Sequence, residues 1–227
     1  MPALYIRSRI LALERDYPLL PPEDTSTPEL RTPKTPDLRT AYVDVYATRV
    51  PLGAMCRLRR PDAIGRTPLE EMWPRAFFLS PTMKLEAKLI GFGDEGDLGE
   101  QGFNQGQRLL ANVMHVVRAP TAKYVPLLVE WENPPHVVRF FEKLAAWGYP
   151  WRLMEGGRHE WSIGPLSQYP GEDETMVEVR FAVAHDYKII KGEKEPGKVV
   201  PQWVLRAHRA YARYLLDEAA REIRKEY

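Results

Sequence analysis

Cysteine is all but absent: Cys56 is the only one in 227 residues. An internal disulfide is excluded, and so is every zinc ribbon or finger built on paired thiolates. Amides and small hydroxyls are scarce, with 3 Asn, 5 Gln and 5 Ser. No apolar run approaches the ~18 residues of a membrane span, and mean hydropathy is −0.42. Arg7 and Arg9 interrupt the first apolar stretch, so no secretory leader is expected there. An excess of one charge is also lacking, since 32 basic residues face 31 acidic ones for a net +1. That balance argues against a dedicated nucleic-acid coat or a polybasic membrane binder, leaving only local patches. No His-Glu-x-x-His pair, nucleophile elbow or Walker loop occurs.

What is present is proline (21), tryptophan (6) and arginine, 22 Arg against 10 Lys. Few amides, many charges and many prolines mark proteins that work hot, and a GC-rich genome gives much the same bias. A length of 227 residues is enough for one large domain or two small ones, with a core that needs no staples.

Along the chain, residues 3–16 read as a short amphipathic helix. Residues 17–40 carry six prolines, so extended chain is expected. Within them Thr27-Pro28-Glu29-Leu30-Arg31-Thr32 recurs as Thr35-Pro36-Asp37-Leu38-Arg39-Thr40. The repeat reads either as two docking motifs for neighbouring subunits or as two Thr-capped turns with Pro at N1.

Residues 41–50 alternate as a strand, with Tyr42, Asp44 and Tyr46 on one face and Val43, Val45 and Ala47 on the other. Residues 54–59 and 83–90 read as further strands. Trp73, Phe77 and Phe78 are expected as buried anchors in a proline-broken stretch. Helices are predicted near 103–118, from Pro134 to Trp147, and over 202–226. The remaining strands are 123–132, a hairpin over 150–164 turning at Glu155-Gly156-Gly157-Arg158, and 175–190. Without regular βαβ alternation, the fold class is α+β. It is expected as a mixed, mainly antiparallel sheet with about four helices. The predicted organisation is a helix and extended proline-rich arm over 1–40, then a single body over 41–227.

Gly91-Phe92-Gly93-Asp94-Glu95-Gly96 has dinucleotide-site spacing, yet Asp94, Glu95, Asp97 and Glu100 would repel a pyrophosphate. The spacing is not that of an EF-hand either. Cys56 beside Arg57 reads as a small apolar residue. Trp131, Trp147, Trp151 and Trp161 read as core, with base stacking on exposed rings as the other reading.

Glu130 and Glu132 share one face of a strand, His159 follows 27 residues on, and Asp186 another 27. Two carboxylates at i, i+2 with a third from a neighbouring strand would hold two divalent cations for nucleotidyl transfer. This order is similar to the archaeo-eukaryotic primase (primase-polymerase) superfamily over about residues 123–190. Glu130 stands where that family has Asp, and Gly157 where it has Ser. The resemblance implies Glu130, Glu132, His159 and Asp186 as catalytic residues, with Mg²⁺ or Mn²⁺ as cofactor and nucleic acid as partner.

The reading that composition and the arm favour is different. It is a non-catalytic structural subunit of a large assembly, without cofactor or metal, such as a virion capsid, connector or tail component of a thermophilic phage or virus. It would be made in the cytoplasm and then reside in the particle. A proline-rich stretch with little apolar surface of its own is expected to be ordered by another chain. The contact residues would be Pro28, Leu30, Arg31, Pro36, Leu38 and Arg39, meeting copies of this chain or other subunits.

Overall fold

A computed structural model describes residues 2–59, 67–121, 124–168, 174–193 and 197–225. Six strands form one wholly antiparallel sheet in the order β1-β6-β5-β4-β3-β2. They are β1 (Leu38–Pro51), β2 (Arg108–Leu109), β3 (Met114–Arg118), β4 (Leu127–Glu132), β5 (Gly156–Gln168) and β6 (Thr175–Lys188). The helices are α1 (Pro2–Asp16), α2 (Pro22–Thr25), α3 (Pro28–Arg31), α4 (Leu52–Arg57), α5 (Leu69–Phe78), α6 (Pro81–Ile90), α7 (Pro135–Ala146) and α8 (Gln202–Lys225). The class is therefore α+β, with eight helices among the described residues rather than about four. None of the helices is long and apolar enough to cross a membrane, among the described residues.

The long strands β1, β5 and β6 alternate, with register shifts between Thr40 and Tyr42 of β1 and between Ile163 and Leu166 of β5. Tyr46, Trp161, Phe181 and Val183 face the front of the sheet, where α5 and α8 pack and the main core lies. Trp73, Phe77 and Phe78 are its buried anchors, as expected, but they sit on α5 with Pro74 inside that helix. The Trp73 indole N–H donates to the Arg180 carbonyl at 2.7 Å, satisfying a polar atom that would otherwise be stranded. Helix α8 is tied to β1 by Asp44, which accepts from Arg209 at 2.7 and 2.9 Å. It is tied to the end of α1 by the Tyr17 hydroxyl, which donates to Asp217 at 2.5 Å. Burial, with the Asp217 bond added, pushes the Tyr17 phenol up to about 12.

Several expected elements change type. Residues 54–59 begin inside α4, not a strand. Residues 83–90 are the body of α6: Met83 and Ala87, four apart, are buried while Leu85 and Leu89 stay exposed. Pro81 at its first turn is the start signal that the alternating pattern hid. The helix over 103–118 is replaced by loop, β2 and β3. Leu110, Ala111 and Asn112 all take positive φ (53°, 50° and 69°), a backbone that no right-handed helix contains.

The hairpin at 155–158 is absent, because β5 runs unbroken from Gly156. Its glycines serve close packing rather than a turn. A Cβ on Gly157 would stand 2.4 Å from the Ala184 carbonyl oxygen and 3.1 Å from the Trp131 ring.

The proline-rich segment is not an extended arm. It folds as α2 and α3, each with Pro in its first turn, and lies across the back of its own sheet. Its second repeat copy differs from the first, entering β1 at Leu38 after a turn. The predicted boundary at residue 40 therefore runs through a strand. The Leu20 amide donates to the Val45 carbonyl at 3.0 Å, stitching the segment to β1.

Candidate functional site

The back of the sheet carries a second apolar patch built from the alternate positions of the same strands. It comprises Val43 and Val45 of β1, Ala182 and Ala184 of β6, Leu128 of β4 and Val117 of β3. The alanines leave a hollow, and Leu30 of α3 fills it with 0% exposure. Charged groups rim this contact. Thr27 donates its amide to Glu160 at 3.1 Å and its hydroxyl to the other Glu160 oxygen. Arg118 also donates to Glu160 at 3.1 Å, and it meets Glu29 at 3.2 Å. Burial pushes the Glu160 carboxyl up, against the pull of Thr27 and Arg118. Arg158 donates to Asp186 at 2.6 Å, to the Thr40 hydroxyl at 2.9 Å and to the Glu29 carbonyl at 2.8 Å. Lys34 donates to Glu130 at 3.0 Å and to Glu132 at 2.9 Å. Burial pushes Glu130 up, but Lys34 and His115 outweigh it and leave its carboxyl below the ordinary value.

This geometry divides the residues proposed as catalytic. Glu130, Glu132 and Asp186 line one shallow back-face hollow of about 260 Å³ together with Lys34 and Arg158. His159 is on the front. In the register Glu130 opposes Arg158 while Val129 opposes His159, and neighbouring residues of a strand face opposite ways. Glu132 and Asp186 both pair with Gly156 from either side, so two strand spacings, about 9–10 Å, separate their backbones. Glu130 and Glu132 are held by Lys34, and Asp186 by Arg158. Among the described residues no three His, Cys, Asp or Glu are placed to hold a metal ion. The four residues do not form one centre.

The residues proposed for docking are also spread. Leu30 is buried against its own chain, Leu38 and Arg39 belong to β1, and Pro36 lies in an exposed turn. Pro28 opens α3, and Arg31 closes it half-buried. Arg39 stacks over Tyr187 at 5.5 Å and donates to the Lys198 carbonyl. The covered back face had a signal in the sequence. The middle stretches Val43–Ala47 of β1, Asp44 apart, and Phe181–Ala184 of β6 are apolar at both sets of alternate positions, and a sheet apolar on both faces needs two covers.

No family model matches the chain, and neither the curated proteins nor the solved structures give a match.

On the front face, His159 belongs to a cluster that sequence spacing did not reveal. Its Nε2 accepts from the Trp131 indole at 3.2 Å. His185 packs its ring 4.7 Å from His208 and 5.1 Å from Tyr42. Burial holds the His159 imidazole down at about 3, and it lowers His185 and His208 too, so all three are neutral at pH 7. These rings come from β5, β6 and α8, and only the sheet register and the α8 packing bring them together.

Besides Leu85 and Leu89 of α6, apolar side chains stay uncovered on α1 and α7. Helix α1 buries Leu13 against the body but exposes Leu4, Tyr5, Ile6 and Leu11, Leu4 at 70%. Helix α7 rests on Val138 and Ala145 and exposes Phe140. Just beyond its end, Trp147 is 82% exposed. One side of α7 walls an open groove of about 1190 Å³ with Arg139, Lys143, Arg152, Lys188, Lys191 and Lys198 against Glu142 and Glu193. Trp203, 74% exposed, follows the last residue of the groove's far wall.

Proposed function

We propose that this chain is a non-catalytic structural subunit that assembles with copies of itself. A capsid, connector or tail component of a thermophilic phage or virus is the kind of particle that its composition fits. The observation that carries the reading is α1. A solvated helix keeps its apolar residues in one stripe facing the core, whereas α1 presents Leu4, Tyr5, Ile6 and Leu11 outward as well. A helix apolar on its outer side calls for a second cover. The segment from Tyr17 to Thr40 is not that contact, because it serves its own sheet.

The test is sedimentation of the whole chain and of a Leu4→Gln, Ile6→Gln, Leu11→Gln variant. The wild type associates as concentration rises, and the variant remains a folded monomer. A wild type that stays monomeric at ~100 µM, or a variant that associates equally well, refutes the reading.

The exposed Trp147 and Trp203, together with the basic groove residues Arg139 and Lys143, favour a second reading, a surface for single-stranded nucleic acid. Bases stack on exposed rings while basic side chains follow the backbone. Quenching of tryptophan fluorescence by an oligonucleotide, lost in Arg139→Glu, Lys143→Glu, tests it.

A further inference from the structure

Two surface features have no role within the fold, and they complement one another. The first is the open groove of about 1190 Å³ beside α7. Ala145 and Val200, buried, and Trp151 and Ile190, half-buried, give it an apolar lining. Both carboxylates on its wall are already taken, Glu193 by Arg152 at 3.2 Å and Glu142 by Lys188 at 3.7 Å. Arg139, Lys143 and Lys191, all exposed, are left without a carboxylate among the described residues. A groove that is apolar in its buried part and cationic in its exposed part suits an apolar side chain carried among carboxylates.

The second is the turn after α6. Gly91 caps that helix, and the Gly93 amide donates to the Lys88 carbonyl at 2.8 Å. This closure puts Phe92 at a left-handed position, φ 53°, that helices ordinarily give to glycine. The unfavourable backbone brings no burial in return, since Phe92 is 100% exposed. Carboxylates follow it directly. Asp94 accepts from the Gly96 amide at 2.9 Å, and Glu95 pairs with Lys88 at 3.0 Å. Asp94 and Asp97 are exposed and meet no cation among the described residues.

Within one chain the two features stay apart. The Leu110 and Ala111 amides donate to the Asp97 and Glu95 carbonyls at 3.0 and 3.2 Å, pinning the turn beside β2. The groove starts at Lys188, the last residue of β6, which lies four strand spacings from β2, about 19 Å. We propose that Phe92 of one copy seats in the α7 groove of the next. Its ring enters beside Trp151 and Ile190, and Asp94 with its neighbouring carboxylates faces Arg139 and Lys143. A patch that meets a different patch is heterologous, and it repeats into rings or open filaments. The inference rests on the reading that this chain assembles with its own copies, and it adds a second contact to that of α1. One turn in a groove buries less than a stable interface does, so this contact is weak by itself.

The test uses two whole-chain variants, each carrying Leu4→Gln, Ile6→Gln, Leu11→Gln so that α1 takes no part. The 15N-labelled acceptor adds Phe92→Ser and keeps its groove. The unlabelled donor adds Arg139→Glu, Lys143→Glu and keeps its turn, so one contact alone can form. The donor shifts the Trp151 indole N–H signal of the acceptor with a Kd of about 0.3–1 mM, as an interface below standard size would. A donor that also carries Phe92→Ser gives no shift. One that also carries Asp94→Asn, Glu95→Gln binds about three- to tenfold more weakly, the range two exposed ion pairs supply. If Arg139→Glu, Lys143→Glu unfolds the donor, Lys191→Glu replaces it. No shift from the intact-turn donor at ~1 mM overturns the contact, and so does equal binding by the Phe92→Ser donor. A Trp151 signal that a single-stranded oligonucleotide moves and the donor does not also overturns it, and gives the groove to the nucleic-acid reading. None of these outcomes alters the sedimentation test of α1, so the two contacts fail separately.

Discussion

Replacing Leu30 by Ala tests whether the proline-rich segment is part of its own globule. Leu30 is 0% exposed and touches the back-face patch of Val45, Leu128, Ala182 and Ala184. Two of these neighbours are alanines on a strand hydrogen-bonded on both sides, so the site cannot collapse into the space left. That places the loss in the middle of the leucine-to-alanine range, about 3 kcal/mol. For a chain of this size each 1 kcal/mol moves the melting temperature by about 2–4 °C, giving about 6–12 °C. Thermal unfolding followed by fluorescence and circular dichroism measures it, with coincident curves securing the two-state treatment. Leu19→Ala is the internal control: it lies in the same segment but is exposed, and it should cost less than about 0.5 kcal/mol. Trypsin should cut after Arg31 slowly in the wild type and quickly in Leu30→Ala. If Leu30→Ala melts within a degree of the wild type, the segment is not held by its own sheet and the intramolecular cover is wrong.

Asp186→Asn leaves Arg158 buried without its counter-ion. It should cost about 3–5 kcal/mol in urea unfolding, and the double change Arg158→Met, Asp186→Leu should recover most of that. Gly157→Ala forces a methyl group into the Ala184 carbonyl, so it should destabilise by more than 1 kcal/mol although alanine is a better chain stiffener. Acidification should weaken the fold from pH 6.5 downward. His159 titrates at about 3 when folded and near 6.5 when unfolded. Its stability is therefore complete above 6.5 and is lost as the unfolded chain alone takes up a proton, by up to ~1.4 kcal/mol per pH unit. His185 and His208 act in the same direction. Glu160, raised by burial, acts oppositely, since its contribution is full below the unfolded carboxyl value and fades as pH rises through the folded one. Three groups outweigh one, so melting temperatures that are flat or rising from pH 7 to 5 would contradict the burial of the histidines. His185→Phe should reduce the slope. Lys34→Met should cost under ~1 kcal/mol, because the lysine is largely solvated.

The elements legible in the sequence were those whose period leaves one interpretation. The alternation from Tyr42 to Ala47 could only be a strand with those two faces, and the long stripe of α8 could only be a helix. The MKLEAKLI stretch was ambiguous because Met83 and Ala87 satisfy helical spacing while Met83, Leu85, Ala87 and Leu89 satisfy a strand. The front-face core resolved it by burying only the first pair. Residues 110–112 gave no warning, since nothing local demands three left-handed residues in succession.

The site followed the same division. Strand periodicity alone put Glu130 and Glu132 on one face. Whether His159 joins them depends on which residue of β5 lies opposite Glu130, and a shift of one residue would have reversed the answer. The proline content argued against any helix or central strand between Tyr17 and Thr40, yet α2 and α3 form there, because Pro22 and Pro28 sit in first turns, where the missing amide costs nothing. It could not say what the segment rests on, because Leu30 gains its burial from alanines about 150 residues away. Local sequence determines which backbone a segment can adopt and which of its side chains share a face. Long-range packing decides which faces meet, because that energy resides in pairs of surfaces and in neither strand nor helix alone.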